Sequence, residues 1–159
     1  MMKRFVFCFL LASALLSTAT AQSTIFVVRH AEKADATKDP DLSEAGRARA
    51  EALAKALRDA KIAAIYATEF KRTQQTAAPL GKALGITETV LPAQDSAALI
   101  AKLRASNANA LVVGHGDTIP NLIKALEVSE PINIAENDYD NLFVLVLDRK
   151  PQLIRLHYR

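Results

Sequence analysis

The sequence predicts an α/β protein, a three-layer α/β/α sandwich in which helices cover both faces of a mostly parallel central sheet. Short runs of strand formers alternate with stretches of helical periodicity along the chain, the signature of consecutive strand-helix units. The first run, Thr24 to Val28, is apolar without alternation, as a strand buried on both faces must be. No linker rich in Gly, Ser or Pro and no internal repeat divides the 159 residues, so one folded domain is expected. Half of the residues are hydrophobic and 23% are charged, a balance that excludes a disordered chain, and five Gly with six Pro exclude a collagen-like one.

Residues 1–21 stand apart from that domain. Lys3 and Arg4 are followed by an almost unbroken apolar stretch from Phe5 to Leu16 and by the small residues Ala19-Thr20-Ala21 before Gln22. This is the layout of a secretory signal peptide cleaved after Ala21, and its apolar stretch is shorter than the roughly 20 residues that a spanning helix needs. The expectation is a periplasmic or secreted protein of residues 22–159, with no stable membrane insertion after cleavage. Losing Lys3 and Arg4 leaves 18 basic against 17 acidic residues, so no basic surface for nucleic acid is indicated. The only cysteine, Cys8, lies in the leader and lacks the small preceding residues of a lipid-attachment site. The mature chain thus has no thiol to offer a disulfide or a metal.

The elements follow in order. After the first strand and its terminal Arg29-His30, a polar loop runs to Asp41, and Ser43 with Glu44 forms a helix start. Ala45, Ala52, Leu53, Ala56 and Leu57 predict the apolar face of that helix, and Arg47, Arg49, Glu51, Lys55 and Arg58 its polar face. Ile62 to Tyr66 is a strand, and Glu69 to Leu84 a helix ended by Gly85. Pro79 weakens that helix and allows a kink or an early end, because an interior proline costs about 3 kcal/mol. A weaker strand at Thr89 to Leu91 is followed by a helix over Ser96 to Ala105, a strand over Ala110 to Val113 and a helix over Thr118 to Leu126. The final strands are Leu142 to Leu147 and Leu153 to Leu156. Residues 129–141, with Pro131 and four acidic residues, read as an ordinary connection.

Ligands of an open parallel sheet bind beyond the carboxyl ends of its strands. Arg29-His30 stands at the end of the first strand, Thr68 to Arg72 follows the second, and Gly114-His115-Gly116-Asp117 follows the strand Leu111-Val112-Val113. Two of the three histidines and two arginines therefore converge on one edge. A neutral imidazole can attack a phosphoryl group and carry it as phosphohistidine. Guanidinium groups match phosphate oxygens with paired charge-assisted hydrogen bonds and disfavour protonation of a neighbouring histidine. A second donor such as His115 would stabilise the charge of the transition state, and the scheme requires no metal or other cofactor. The third histidine, His157, has no such companions. Glu69, Lys71, Tyr139 and Asp140 read as helix-start and turn residues.

Val28-Arg29-His30-Ala31-Glu32 resembles the arginine-histidine signature of the histidine phosphatase superfamily, also called phosphoglycerate mutase-like. Leu42-Ser43-Glu44-Ala45-Gly46 resembles that family's helix start, Tyr66 to Ala77 its second motif with Arg72 before a glutamine-threonine pair, and Val112-Val113-Gly114-His115-Gly116 its second histidine motif. The four occur in the family's order between about Thr24 and Leu126. The resemblance implies a phosphoglycerate mutase-like fold, His30 as phosphorylated nucleophile, Arg29 and Arg72 as clamps on the phosphoryl group, and His115 in the same pocket.

One departure leaves a role open. Many members carry an acidic residue in a longer insertion after the third strand, whereas Thr87 to Asp95 is short here, so the general acid falls to Asp95 or Asp117. Each also reads as a helix-cap residue. A chain this short in loops should have an open pocket selected by charge, which suits a phosphatase better than a mutase that must exclude water. The expected activity is metal-independent hydrolysis of phosphomonoesters, the partner being a small phosphate ester or a phosphorylated surface component. A phosphohistidine or phosphoprotein phosphatase, a mutase, and a non-catalytic phosphate-binding domain are the alternatives. The chain is as brief as the small phosphohistidine phosphatases of signalling relays, but their substrates are cytoplasmic and the leader counts against that assignment.

Overall fold

The computed structural model describes residues 22–159. The leader predicted over residues 1–21 lies outside the described residues. Six strands form one sheet: β1 (Ser23–Arg29), β2 (Ile62–Thr68), β3 (Thr89–Leu91), β4 (Asn109–Gly114), β5 (Asn141–Leu147) and β6 (Gln152–His157), in the order β3-β2-β4-β1-β5-β6. The strands β1 to β4 are mutually parallel and alternate with the helices α1 (Glu44–Leu57), α2 (Lys71–Leu84), α3 (Ser96–Ala105) and α4 (Ile119–Ala125). The last two strands run antiparallel, so β5 closes the free side of β1 and β6 the outer edge.

The apolar runs explain the layers. Alternate residues of each central strand face opposite helix pairs: Ile25, Val27 and Val112 pack with Leu103 of α3 and with Ile119, Leu122 and Ile123 of α4. Val28, Ile65, Leu111 and Val113 pack instead with Leu53 and Leu57 of α1 and Leu80 of α2. This is the predicted three-layer α/β/α sandwich. Among the described residues no helix is long and apolar enough to cross a membrane.

Helix α1 differs from its periodicity in an instructive way. Ser43 caps it as expected, its hydroxyl accepting the Gly46 N–H at 3.0 Å. The buried face, however, is Gly46, Ala50, Leu53, Ala54 and Leu57, while Ala45 and Ala56 are exposed. Alanine carries too little apolar area to fix a face, and close approach decides instead: a Cβ on Gly46 would run into the Glu32 carbonyl. Arg49, expected on the polar face, turns inward to Glu32.

Helix α2 continues through Pro79 to Leu84, because the packing of Ala77, Leu80 and Gly81 outweighs the proline. Gly85 ends it in the left-handed conformation, φ 68°, its N–H bonded to the Gly81 carbonyl. At the other end it begins at Lys71, with Phe70 in extended conformation at the N-cap.

Candidate functional site

The parallel pairing of β1 and β4 places the site. Arg29 is level with Gly114, and the His30 N–H donates to the Gly114 carbonyl at 2.9 Å, so the residues that follow the two strands emerge side by side. The His30 and His115 rings stand 5.4 Å apart, edge to face at 62°. On the other flank of β4, strand β2 ends in Thr68 and delivers Arg72 through the first turn of α2. Arg29, His30, Arg72 and His115, drawn from three segments of chain, line one open cleft of about 510 Å³ together with Phe70, Gln94, Asp117 and Glu136.

Each ring has a defined tautomer. The Nδ1–H of His30 donates to the Ala31 carbonyl at 2.8 Å, which leaves the Nε2 lone pair as the nucleophilic position. Nδ1 of His115 lies 3.5 Å from an Arg72 amine, which can only donate, so its proton is on Nε2 and is shared with the Thr68 hydroxyl at 3.0 Å. Thr68 passes the chain on to Thr73, 2.9 Å away and fully buried, whose own hydroxyl donates to the Phe70 carbonyl at 2.8 Å. Thr118 accepts the backbone N–H of His115 at 3.1 Å. Thr118, where the sequence starts this helix, stands at the N-cap of α4, but its side chain makes no capping bond and holds His115 instead.

Burial and charge keep both rings neutral. Burial is the main cause that lowers His30 to about 4, with His115, Arg29 and Arg72 acting in the same direction. His115 is also lowered to about 4, by burial first and by Arg72 next, against the opposing charges of Asp117 and Glu69. Two imidazoles with free electron pairs thus sit between two permanent cations.

The arginines are held by their backs. Arg29 donates through Nη1 to the carbonyls of Ala135 and Glu136 at 2.9 and 2.6 Å and lies 4.4 Å over the Tyr139 ring. Arg72 lies 4.3 Å over Phe70 and reaches the Lys38 carbonyl at 3.4 Å. In both, Nε–H is buried without a partner among the described residues. An unpaired buried donor on a charged group costs about 1–3 kcal/mol or more. Both guanidinium groups line a cleft of neutral histidines, a setting that suits an oxyanion.

Several assignments change at this level. Asp95 does not line the cleft; it caps α3, accepting the Ala98 N–H at 3.0 Å. Asp117 lines the cleft and is exposed. Glu136 lines it too, an acid that the sequence reading passed over. The segment 129–141, read as a plain connection, supplies the carbonyls and the Tyr139 ring that hold Arg29. Nothing local in its sequence signals this, because the contact spans more than 100 residues. Glu69 accepts the Ala93 N–H at 2.7 Å and so ties the start of α2 to the connection after β3. His157 is exposed and bonds Asp140 at 3.0 Å, away from the cleft.

No group of three or more His, Cys, Asp and Glu among the described residues is placed to hold a metal ion. Around the His30 loop, Glu32 receives the Arg49 fork at 2.6 to 2.9 Å. Burial alone would raise the Glu32 carboxyl, and the bonds from Arg49 more than offset it, holding it below the ordinary range.

The family model for the histidine phosphatase superfamily (branch 1) matches residues 25–99, which include Arg29, His30 and Arg72, with His115 beyond the match. No curated protein sequence matches the chain significantly. Among solved structures, the protein histidine phosphatase SixA complexed with tungstate is similar with a TM-score of 0.68 at 23% identity, over 84% of this chain and 96% of that one. A mycobacterial glucosyl-3-phosphoglycerate phosphatase gives 0.68 at 18% identity, over 87% of this chain and 100% of the other. An α-ribazole-5′-phosphate phosphatase described as putative, from Escherichia coli K-12, gives 0.70 at 15% identity, over 85% and 96%. These likenesses establish a shared fold.

Proposed function

We propose, from the premise that this chain belongs to the histidine phosphatase superfamily and is at that level a phosphatase, that it hydrolyses phosphomonoesters through a phosphohistidine on His30. The observation that carries the reading is the pair of neutral rings 5.4 Å apart between two arginines whose buried Nε–H groups have no partner. A phosphoryl group of the substrate would bind between the two guanidinium groups. Nε2 of His30 attacks phosphorus, an N–P bond forms as the P–O bond to the alcohol breaks, and a proton passes to the leaving oxygen. Water then attacks the phosphohistidine, releasing inorganic phosphate and restoring the imidazole. Arg29 and Arg72 stabilise the charge on the transferring oxygens, and His115, held by Thr68 and Arg72, lines the same pocket.

Asp117 is the better placed of the two acids proposed from the sequence, because Asp95 is committed to its cap. A metal is not needed for any of these steps. Export of the protein to the periplasm or the medium is part of the same proposal and rests on residues 1–21 alone.

Hydrolysis of para-nitrophenyl phosphate, with a chelator present and with vanadate as transition-state mimic, tests the reading. Chelator-resistant turnover that vanadate inhibits is expected. Vanadate or phosphate binding without turnover of any ester would instead favour the non-catalytic binding domain, and phosphoryl transfer to a second substrate hydroxyl would favour a mutase.

A further inference from the structure

The reaction above makes no use of the C-terminal strand, yet β6 reaches the phosphoryl clamp through a continuous set of bonds. A turn closed by the Asp138 N–H on the Ala135 carbonyl at 3.0 Å presents the two carbonyls that accept Nη1 of Arg29, and the Tyr139 ring lies beneath the same guanidinium. Arg29 therefore takes its position from that turn. The turn is fastened in its place by Arg155 of β6, whose Nη2 donates to Asp138 Oδ2 at 3.3 Å and whose Nε donates to Asn141 Oδ1 at 2.6 Å. Asn141 is 1% exposed and opens β5 one residue beyond the Val28–Leu142 pair, level with the end of β1 at Arg29. One guanidinium thus grips both the turn and the strand that follows it.

Burial and geometry separate this arrangement from an ordinary surface ion pair. The Arg155–Asp138 pair alone, with side chains 42% and 26% exposed, would add little to stability. The bond to buried Asn141, with the Phe143 ring 5.5 Å from the Arg155 guanidinium, fixes the donor fork and so draws Asp138 to a defined position. An arginine free to swing loses rotamer freedom each time it takes an oxyanion, whereas one already held does not. Holding the turn prepares Arg29 before the substrate arrives.

We propose that Arg155 is a positioning residue of the phosphoryl site: through Asp138 and Asn141 it holds the turn at 135–138 against Arg29 and so presets the clamp. Arg155 itself does not line the cleft. The assignment rests on the phosphatase reading only in giving Arg29 a phosphoryl oxygen to bind.

A double-mutant cycle with Arg29 tests the link, read by calorimetric titration of the purified protein with vanadate and by turnover of para-nitrophenyl phosphate. Arg155→Met keeps an apolar stem over Phe143 and removes both bonds, and it should weaken vanadate about fivefold to tenfold and lower kcat/KM by the same factor. In an Arg29→Ala background the same substitution should change vanadate affinity by less than about twofold, because the group it positions is gone. Asp138→Ala, which opens one end of the bridge, should cost about twofold to threefold and carries the cycle should Arg155→Met fail to fold. An equal factor in both backgrounds, or unchanged vanadate affinity in folded Arg155→Met, overturns the positioning role and leaves the phosphatase reading standing. A loss that needs Arg29, found in a protein that binds vanadate but turns over no ester, supports the positioning role and overturns the phosphatase reading.

Discussion

His30 and His115 owe their chemistry to where the chain leaves them rather than to any intrinsic property of histidine. Burial beside two guanidinium groups lowers both to about 4, so both hold free electron pairs through the whole range where a free imidazole would protonate. The acidic limb of kcat/KM, corrected for ionisation of the substrate, should therefore fall near pH 4 and not near 6.5; a limb at 6.5 assigned to the enzyme would contradict the burial argument. Arg72→Ala should lower kcat by about 10²- to 10³-fold, the usual loss when a donor to developing charge is removed, and steady-state rates measure it. Thr68 acts one step back as a positioning residue. Thr68→Val leaves the Nε2–H of His115 without its acceptor, which should cost about tenfold in kcat with little change in KM, and Thr68→Ser should restore most of it.

At the scale of elements, the loop after β1 is pinned to α1 by the Arg49 fork on Glu32 and by the missing side chain of Gly46. Gly46→Ala forces a Cβ into backbone that cannot move without shifting His30, and should lower stability by about 1–3 kcal/mol in urea unfolding. The ends of the elements also mark how far sequence reaches. The buried strands, the Ser43 cap and the Gly85 stop were legible because each depends on neighbours within a few residues. The inward turn of Arg49, the passage of α2 through Pro79 and the engagement of Arg29 by residues 135 and 136 were not, because packing between distant segments decides them. For the same reason Asp95 could be read as either a cap or an acid until its bond to Ala98 was seen.

For the whole molecule, the parallel strands β1, β2 and β4 end level enough to present Arg29, His30, Arg72 and His115 on one edge, and this convergence was legible from the residues that follow each apolar run. The architecture also couples the site to stability. Since the folded histidines titrate near 4 and the unfolded ones near 6.5, the unfolded chain binds more protons between those values, and stability must fall as pH drops through that window. The loss is the cost of charging buried rings below about pH 6.5; near neutrality both states hold mostly neutral imidazoles and the linkage contributes little. Urea midpoints between pH 7 and 4 check the sign: a double variant His30→Asn, His115→Asn should show a distinctly shallower loss over that range.

The claim on which the rest depends is that His30 carries the phosphoryl group. Rapid mixing with a radiolabelled phosphate ester, quenched in alkali and followed by peptide mapping, measures it most directly. Wild-type protein should show a transient label on the peptide containing His30, stable to alkali and lost in acid, and His30→Ala should show neither label nor turnover. Sustained turnover by His30→Ala, or a label lodged on another residue, would contradict the account.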